Sequence, residues 1–279
     1  MPIHDLTDPG PLRAPAFVVA FEGWVNAGSA GTIAADALAG EGPVIARFDP
    51  DALFDYRVNR PVVEFIDGAI DTVEWPTMQL RHRSLPERDL LVLSGTEPNW
   101  NWRRFSREVA ELEKSLGVTE HISIGGIPWA AAHTRPVSIM TTASSVDHLP
   151  EGAERPEGLL RVPGAAVTVV EHAALEAAIP TVGFWARVPH YLGASFAAAA
   201  LALVERVSAH LGVTSDLTEL ATTAADQIAE LNTIVEGRPD VLTMIRQLET
   251  GGEGNGVISG EALAAEIERF LRGQGPDQV

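Results

Sequence analysis

The sequence predicts an α/β fold, a layered α/β/α sheet with a C-terminal helical extension, from three observations. Residues 16–21 (AFVVAF) are a short continuous apolar run, the mark of a strand buried on both faces. Segments with helical period alternate with such runs, as in a sheet covered by helices. Beyond about residue 213 strand signals stop and helical stripes take over. We therefore expect a core domain over 1–213. An extension over 214–279 should pack on that core or on a neighbouring subunit, because its helices are too short to stand alone.

After strand 16–21 comes a glycine-bearing loop, then a helix with Ile33, Ala34, Ala37 and Leu38 on one side, stopped by Gly40. Residues 44–47 read as the next strand. Asp67-Gly68 separates two β-rich runs, 62–66 and 69–73, and both turn residues tolerate positive φ, so a hairpin is expected. Residues 78–83 alternate apolar and polar, as an edge strand does. A buried strand over 89–93 leads into a helix over 100–116. Its stripe is Trp102, Phe105, Val109, Leu112 and Leu116, with Asn99 as N-cap and Gly117 as stop. Strands 119–124 and 136–141 follow. Residues 147–163, rich in Pro, Gly and charge, form a long loop of the kind that serves function or an interface. A helix from about 164 to 178, a strand over 181–187 and a helix over 193–211 complete the core.

In the extension, Leu217, Leu220, Ala221, Ala224, Ile228, Leu231 and Val235 make one stripe, with Asp216 and Glu219 as a capping box. Pro239 opens a helix carrying Val241, Met244, Ile245 and Leu248. Leu263, Ile267, Phe270 and Leu271 mark a last short one.

Composition narrows the function. The chain has 279 residues and a formal net charge of −18, which repels phosphate backbones, so nucleic acid is not an expected partner. Cysteine is absent, which removes disulfides, thiolate metal sites and thiol nucleophiles. Lys114 is the only lysine and lies on the polar side of the 100–116 helix, which sets aside a Schiff-base enzyme and a P-loop NTPase, since each needs a lysine in its site. The longest apolar run, 194–204, is short of the roughly 20 residues that span a bilayer. No signal peptide is visible, and a soluble, cytoplasmic protein without membrane contact is expected.

Polar residues gather where strands hand over to helices, the edge at which open α/β sheets bind ligands. Glu22 follows a buried strand directly, and Asn26 lies in the next loop, either as a ligand group or as a helix cap. The glycines of that loop do not fit the nucleotide fingerprint. Glu97, Asn99 and Trp100 open the 100–116 helix. His133 and Arg135 could bind an anion, or could pair with Glu22 or Glu97. His190 follows a strand and could act as an acid or base or merely cap. These eight are the binding-pocket candidates. Arg57, Asn59 and Arg60 are interface candidates, a basic loop in an acidic chain. His172 and Glu176 lie four apart and read as a surface pair rather than metal ligands. No G-x-S-x-G, HExxH or paired-Cys motif occurs, so no catalytic residue, cofactor or metal is assigned and the reading leans away from an enzyme.

These segments together resemble the proteasome assembly chaperone 2 family, in its bacterial, actinobacterial-type branch. The resemblance spans nearly the whole chain. It rests on FEGWVNAG (21–28), DYRVNRPVV (55–63), GTEPNWNWRRF (95–105), GGIPWAAAHTRPV (125–137) and FWARVPHYLGAS (184–195). It continues through IRQLE (245–249) and SGEALAAEIERFLR (259–272). It implies a phosphorylase/hydrolase-like α/β architecture and a homo-oligomer, a trimer in this branch, with proteasome subunits as partners. Eukaryotic and archaeal members help assemble the proteasome α-ring, some through a C-terminal hydrophobic-Tyr-any tail. This sequence ends Pro276-Asp277-Gln278-Val279 instead, and carries Val25-Asn26 where the family pattern has Asn-Asp. The expectation is a non-catalytic oligomer acting through protein–protein contacts. The alternative is a small-molecule hydrolase, transferase or ligand-binding protein with a pocket at the C-terminal ends of the strands.

Overall fold

The computed structural model describes residues 2–250. The last helix expected from Leu263 to Leu271 therefore lies outside the described residues.

In chain order the core elements are β1 (His4–Leu6), β2 (Ala16–Glu22), α1 (Ala30–Ala39), β3 (Val44–Phe48), α2 (Pro50–Leu53), β4 (Val62–Ile66), β5 (Ala69–Glu74), β6 (Met78–Ser84) and β7 (Asp89–Thr96). Then come α3 (Trp102–Ser115), β8 (Glu120–Trp129), β9 (Ile139–Ala143), α4 (Ala166–Glu176), β10 (Thr181–Pro189) and α5 (Ala197–Leu211). The helices α6 (Thr218–Glu236) and α7 (Pro239–Thr250) follow.

Eight strands form one mixed sheet in the order β1-β3-β6-β7-β2-β8-β10-β9. The central four, β7, β2, β8 and β10, run parallel, and the flanking pairings are antiparallel. Val19 lies level with Leu93 on one side and Ser123 on the other. The apolar run of β2 is explained by coverage of both faces. Ala16, Val18 and Ala20 pack with Ala34 and Leu38 of α1 and Leu203 and Val207 of α5. Phe17, Val19 and Phe21 pack with Phe105 and Val109 of α3 and Val170 of α4. The result is the three-layered α/β/α sheet that the alternation predicts.

Helices α6 and α7 complete the first layer. Leu217, Leu220, Ile228 and Leu231 lie against the α1/α5 core. Val235 and Ile245 make a small cluster with Ala132. Asp216 does serve the start of α6, but through the Thr218 N–H and hydroxyl, at 3.0 and 2.8 Å, without the reciprocal glutamate of a capping box.

Two local expectations are corrected. Residues 78–84 are not an edge strand: β6 sits between β3 and β7. Its alternation has another origin. Met78 and Leu80 enter the α3-side core, while Arg81 pairs with Asp36 and Arg83 donates to the carbonyls of Ala37 and Leu38 at the end of α1. Asn99 is not the N-cap of α3. The helix begins at Trp102 with Asn101 at the cap in a left-handed conformation, because the Asn99 side chain is committed elsewhere.

The hairpin is as expected. β4 and β5 pair across Asp67 (φ 51°) and Gly68 (φ 83°), a two-residue turn with both residues at positive φ. It forms a separate two-stranded sheet, and every residue of both strands is exposed.

Candidate functional site

Loops at the C-terminal ends of the parallel strands are held by backbone contacts that leave no room for side chains. The loop after β2 crosses the middle of β8. A Cβ on Gly125 would lie 2.5 Å from the Val25 carbonyl oxygen, and one on Gly126 would lie 2.3 Å from that of Ala27. The glycine pair is thus a requirement of close approach. Asn26 caps α1 from this loop: its Oδ1 accepts from the N–H of Gly31 and Thr32 at 3.0 and 3.2 Å, and its Nδ2 donates to Thr32.

Glu97 is a clamp. One carboxylate oxygen accepts from the Ala166 N–H at 2.7 Å, at the start of α4, and the other from the Trp24 N–H at 3.1 Å. A negative charge there also meets the positive end of the helix dipole. Glu22 is exposed and accepts only a long 3.3 Å bond from Thr96. Glu22 and Glu97 are joined through the main chain, Glu97 N–H to Glu22 carbonyl at 2.8 Å.

A second group belongs to the loop beneath the hairpin. Asn99 Oδ1 accepts from the Asp55 N–H and from Asn59 Nδ2, at 2.8 and 2.9 Å. Trp100 is exposed, and its N–H reaches the Leu53 carbonyl at 3.3 Å. Arg57 makes a two-pronged contact with Asp55 at 3.0 and 2.8 Å, which holds the Asp55 carboxyl below its usual range and raises the guanidinium. Arg60 is exposed at the foot of the hairpin. Above it rise Val62, Phe65, Ile66, Ile70 and Trp75, all exposed.

A third group fastens the C-terminal helices. The Tyr191 hydroxyl accepts from the His133 N–H at 2.8 Å and so donates to His133 Nδ1 at 2.7 Å, which leaves Nε2–H to donate to Asn232 of α6 at 3.2 Å. Arg135 donates to the Glu249 carbonyl in α7 at 3.1 Å, and Thr134 bonds the Glu249 side chain. His190 is exposed, with Nδ1–H donating to the Trp129 carbonyl at 3.0 Å. The eight pocket candidates thus stand in three groups with separate partners. His133 and Arg135 meet α6 and α7 rather than Glu22 or Glu97. His172 and Glu176 form an exposed pair at 3.8 Å.

An apolar cavity lies elsewhere. It holds about 390 Å³ between α4, the β8-β10-β9 side of the sheet and the segment 160–165. Trp185, Ile127, Met140, Leu160 and Trp24 are among its walls, and none of the eight candidates lines it. Its polar lining includes Glu171, Thr168, Thr181 and Ser144.

Behind Glu171 runs a buried polar chain. His121 Nδ1–H donates to Glu113 at 2.6 Å, and Nε2 meets the Ser123 hydroxyl at 3.1 Å. Thr181 donates to Glu171 at 3.4 Å. Burial, the largest influence, lowers the His121 value, but the charge and hydrogen bond of Glu113 together with the charge of Glu171 outweigh it and hold the imidazole above its ordinary range. Burial raises Glu171, against the influence of His121, Ser123 and Thr181. Ser, His and Glu here resemble a hydrolytic relay in order only. Ser123 is wholly buried in mid-strand and no substrate can reach it. The sequence did carry one sign of this chain: Glu113 falls among the apolar positions of α3, where a carboxylate needs a buried partner.

Comparison with known proteins places these features in a family. The family model described as PAC2 family matches residues 20–235. A Mycobacterium tuberculosis protein of unknown function shares 30% identity, with 97% of this chain and 96% of that one covered and a TM-score of 0.86. A Corynebacterium glutamicum protein of unknown function shares 26%, with 90% and 97% covered and a TM-score of 0.83. A Mycobacterium tuberculosis proteasome-assembly chaperone homologue shares 32%, with 82% and 99% covered and a TM-score of 0.75. A search of curated proteins found no match. Among the described residues no helix is long and apolar enough to cross a membrane.

Proposed function

The chain belongs to the PAC2 family, and from that premise we propose that it is a non-catalytic homo-oligomer, a trimer, that works in the cytoplasm through protein–protein contacts with proteasome subunits. The observation that carries this reading is the β4–β5 hairpin. A two-stranded hairpin is marginal in water, and among the described residues this one exposes Val62, Val63, Phe65, Ile66, Ile70 and Val73 with no other element over either face. An apolar surface of this kind is of the sort that another molecule covers. Arg60 at its foot belongs to the same surface and can pair with acidic groups on a partner, while Arg57 is held by Asp55. The name borne by the relative with 32% identity supports the proteasome as destination. A division into a core over 1–213 and an extension over 214–279 fits this role, with α6 and α7 held by His133 and Arg135.

The test is a native pull-down against proteasome α-subunits together with light scattering. Retention of α-subunits and a trimeric mass support the reading. A monomer at micromolar concentration that retains none of them would remove it.

A second reading, a ligand-binding protein, is favoured by the cavity beneath α4, whose volume lies within the range of small-molecule sites. Its test is saturable binding of small molecules that disappears when the cavity is filled.

A further inference from the structure

We propose that the cavity beneath α4 takes a small amine, an ammonium group on an aryl or alkyl body, with the ammonium paired to Glu171. The inference rests on the ligand-binding reading and names the class of ligand.

Three features select that class. The walls are apolar and partly aromatic, with Trp185, Trp24, Met140 and Ile127 placed to cover a ring or a short chain. Among the described residues the sole carboxyl group on the lining is Glu171, and no lysine or arginine lines the cavity, so an anionic ligand would find no counter-charge from those residues. His172, the other titratable group of the lining, is turned to solvent with Glu176 at 3.8 Å. The net charge of −18 favours approach of cations over anions.

The buried chain behind Glu171 completes the electrostatics. Glu113 of α3 already balances His121 of β8, and Ser123 and Thr181 offer hydroxyls to Glu171. Among the described residues Glu171 forms no ion pair of its own and shares the influence of His121 with Glu113, so its charge is costly. An ammonium delivered by a ligand supplies the missing partner. Thr168 and Ser144 on the lining can accept its remaining N–H groups.

The experiment is isothermal titration of the full chain with 2-phenylethylamine, with its neutral counterpart 2-phenylethanol and with phenylacetate. The expected result is saturable binding of the amine at least about tenfold tighter than the alcohol, with no binding of phenylacetate. Glu171→Gln keeps the shape of the side chain, so it should bring the amine down to the level of the alcohol. Val162→Trp, at the half-exposed mouth, should abolish both. Amine binding to the unaltered protein should tighten as pH rises through the raised Glu171 value. Equal affinity for amine and alcohol, or an amine preference that survives Glu171→Gln, would overturn the ligand class alone. No binding by any probe, or binding that Val162→Trp leaves intact, would overturn the ligand-binding reading of this cavity with it.

Discussion

The hairpin offers the most exacting perturbation. Phe65 and Ile70 face each other across β4 and β5, and they are 61% and 67% exposed. Full burial of such a side chain is worth about 1.5–3 kcal/mol. With roughly three-fifths of that still to be gained, each contributes about 1.5 kcal/mol to a contact that covers it, and the pair about 3 kcal/mol. A loss of that size weakens association roughly 100-fold. Phe65→Ser with Ile70→Ser should therefore shift the assembly toward monomer in light scattering over a concentration series. The fold itself should be nearly untouched, since neither residue enters a core and exposed substitutions usually stay within about 0.5 kcal/mol. An assembly unaltered by the double change would refute the hairpin as the contact. So would a collapse in denaturant stability, which would mean that the hairpin packs on its own chain.

Other perturbations test the frame that presents it. Glu97→Ala removes the acceptor of two main-chain N–H groups, that of Ala166 at the buried start of α4 among them. Urea unfolding should show a loss of about 2–4 kcal/mol, and a change under about 0.5 kcal/mol would show that the clamp is idle. The native state binds protons more tightly than the unfolded chain at both His121 and Glu171. The contribution of His121 is thus complete below the ordinary value of 6.5 and is lost as pH rises through the raised native value. The raised Glu171 adds a decline that begins near 4.5. Stability measured from pH 5 to 9 should fall across these windows and His121→Asn should flatten the upper one; an unchanged upper slope contradicts the pairing with Glu113. His133→Ala breaks the link from the β8–β9 loop to Asn232 and Tyr191. Hydrogen exchange should then quicken in α6 and α7 but not in the central strands, and uniform exchange would deny His133 that role.

The sheet was legible because burial on both faces leaves a mark that survives without coordinates: 16–21 and 90–93 are apolar without interruption. The hairpin was legible through Asp67-Gly68, whose backbone needs are local. The position of β6 was not. Its polar residues answer to the end of α1, a contact distant in sequence, so alternation alone read as an edge. The candidate residues were picked for their chemistry at strand ends, yet hydrogen-bond partners decide what such groups do. Glu97 was recognisable as important, but its partners, Trp24 and Ala166, lie 73 and 69 residues away. The cavity leaves no mark in the sequence because its walls come from β8, β9, β10, α4 and two loops, none of which carries a motif. Family resemblance added what local patterns could not, since it weighs many weak segments together.

Native mass spectrometry of the protein drawn from its own host tests the central claim most directly. The account predicts a homotrimer, with a fraction carrying proteasome α-subunits that the Phe65→Ser, Ile70→Ser variant no longer retains as an assembly. A monomer free of any protein partner, in both the unaltered chain and the variant, would contradict it.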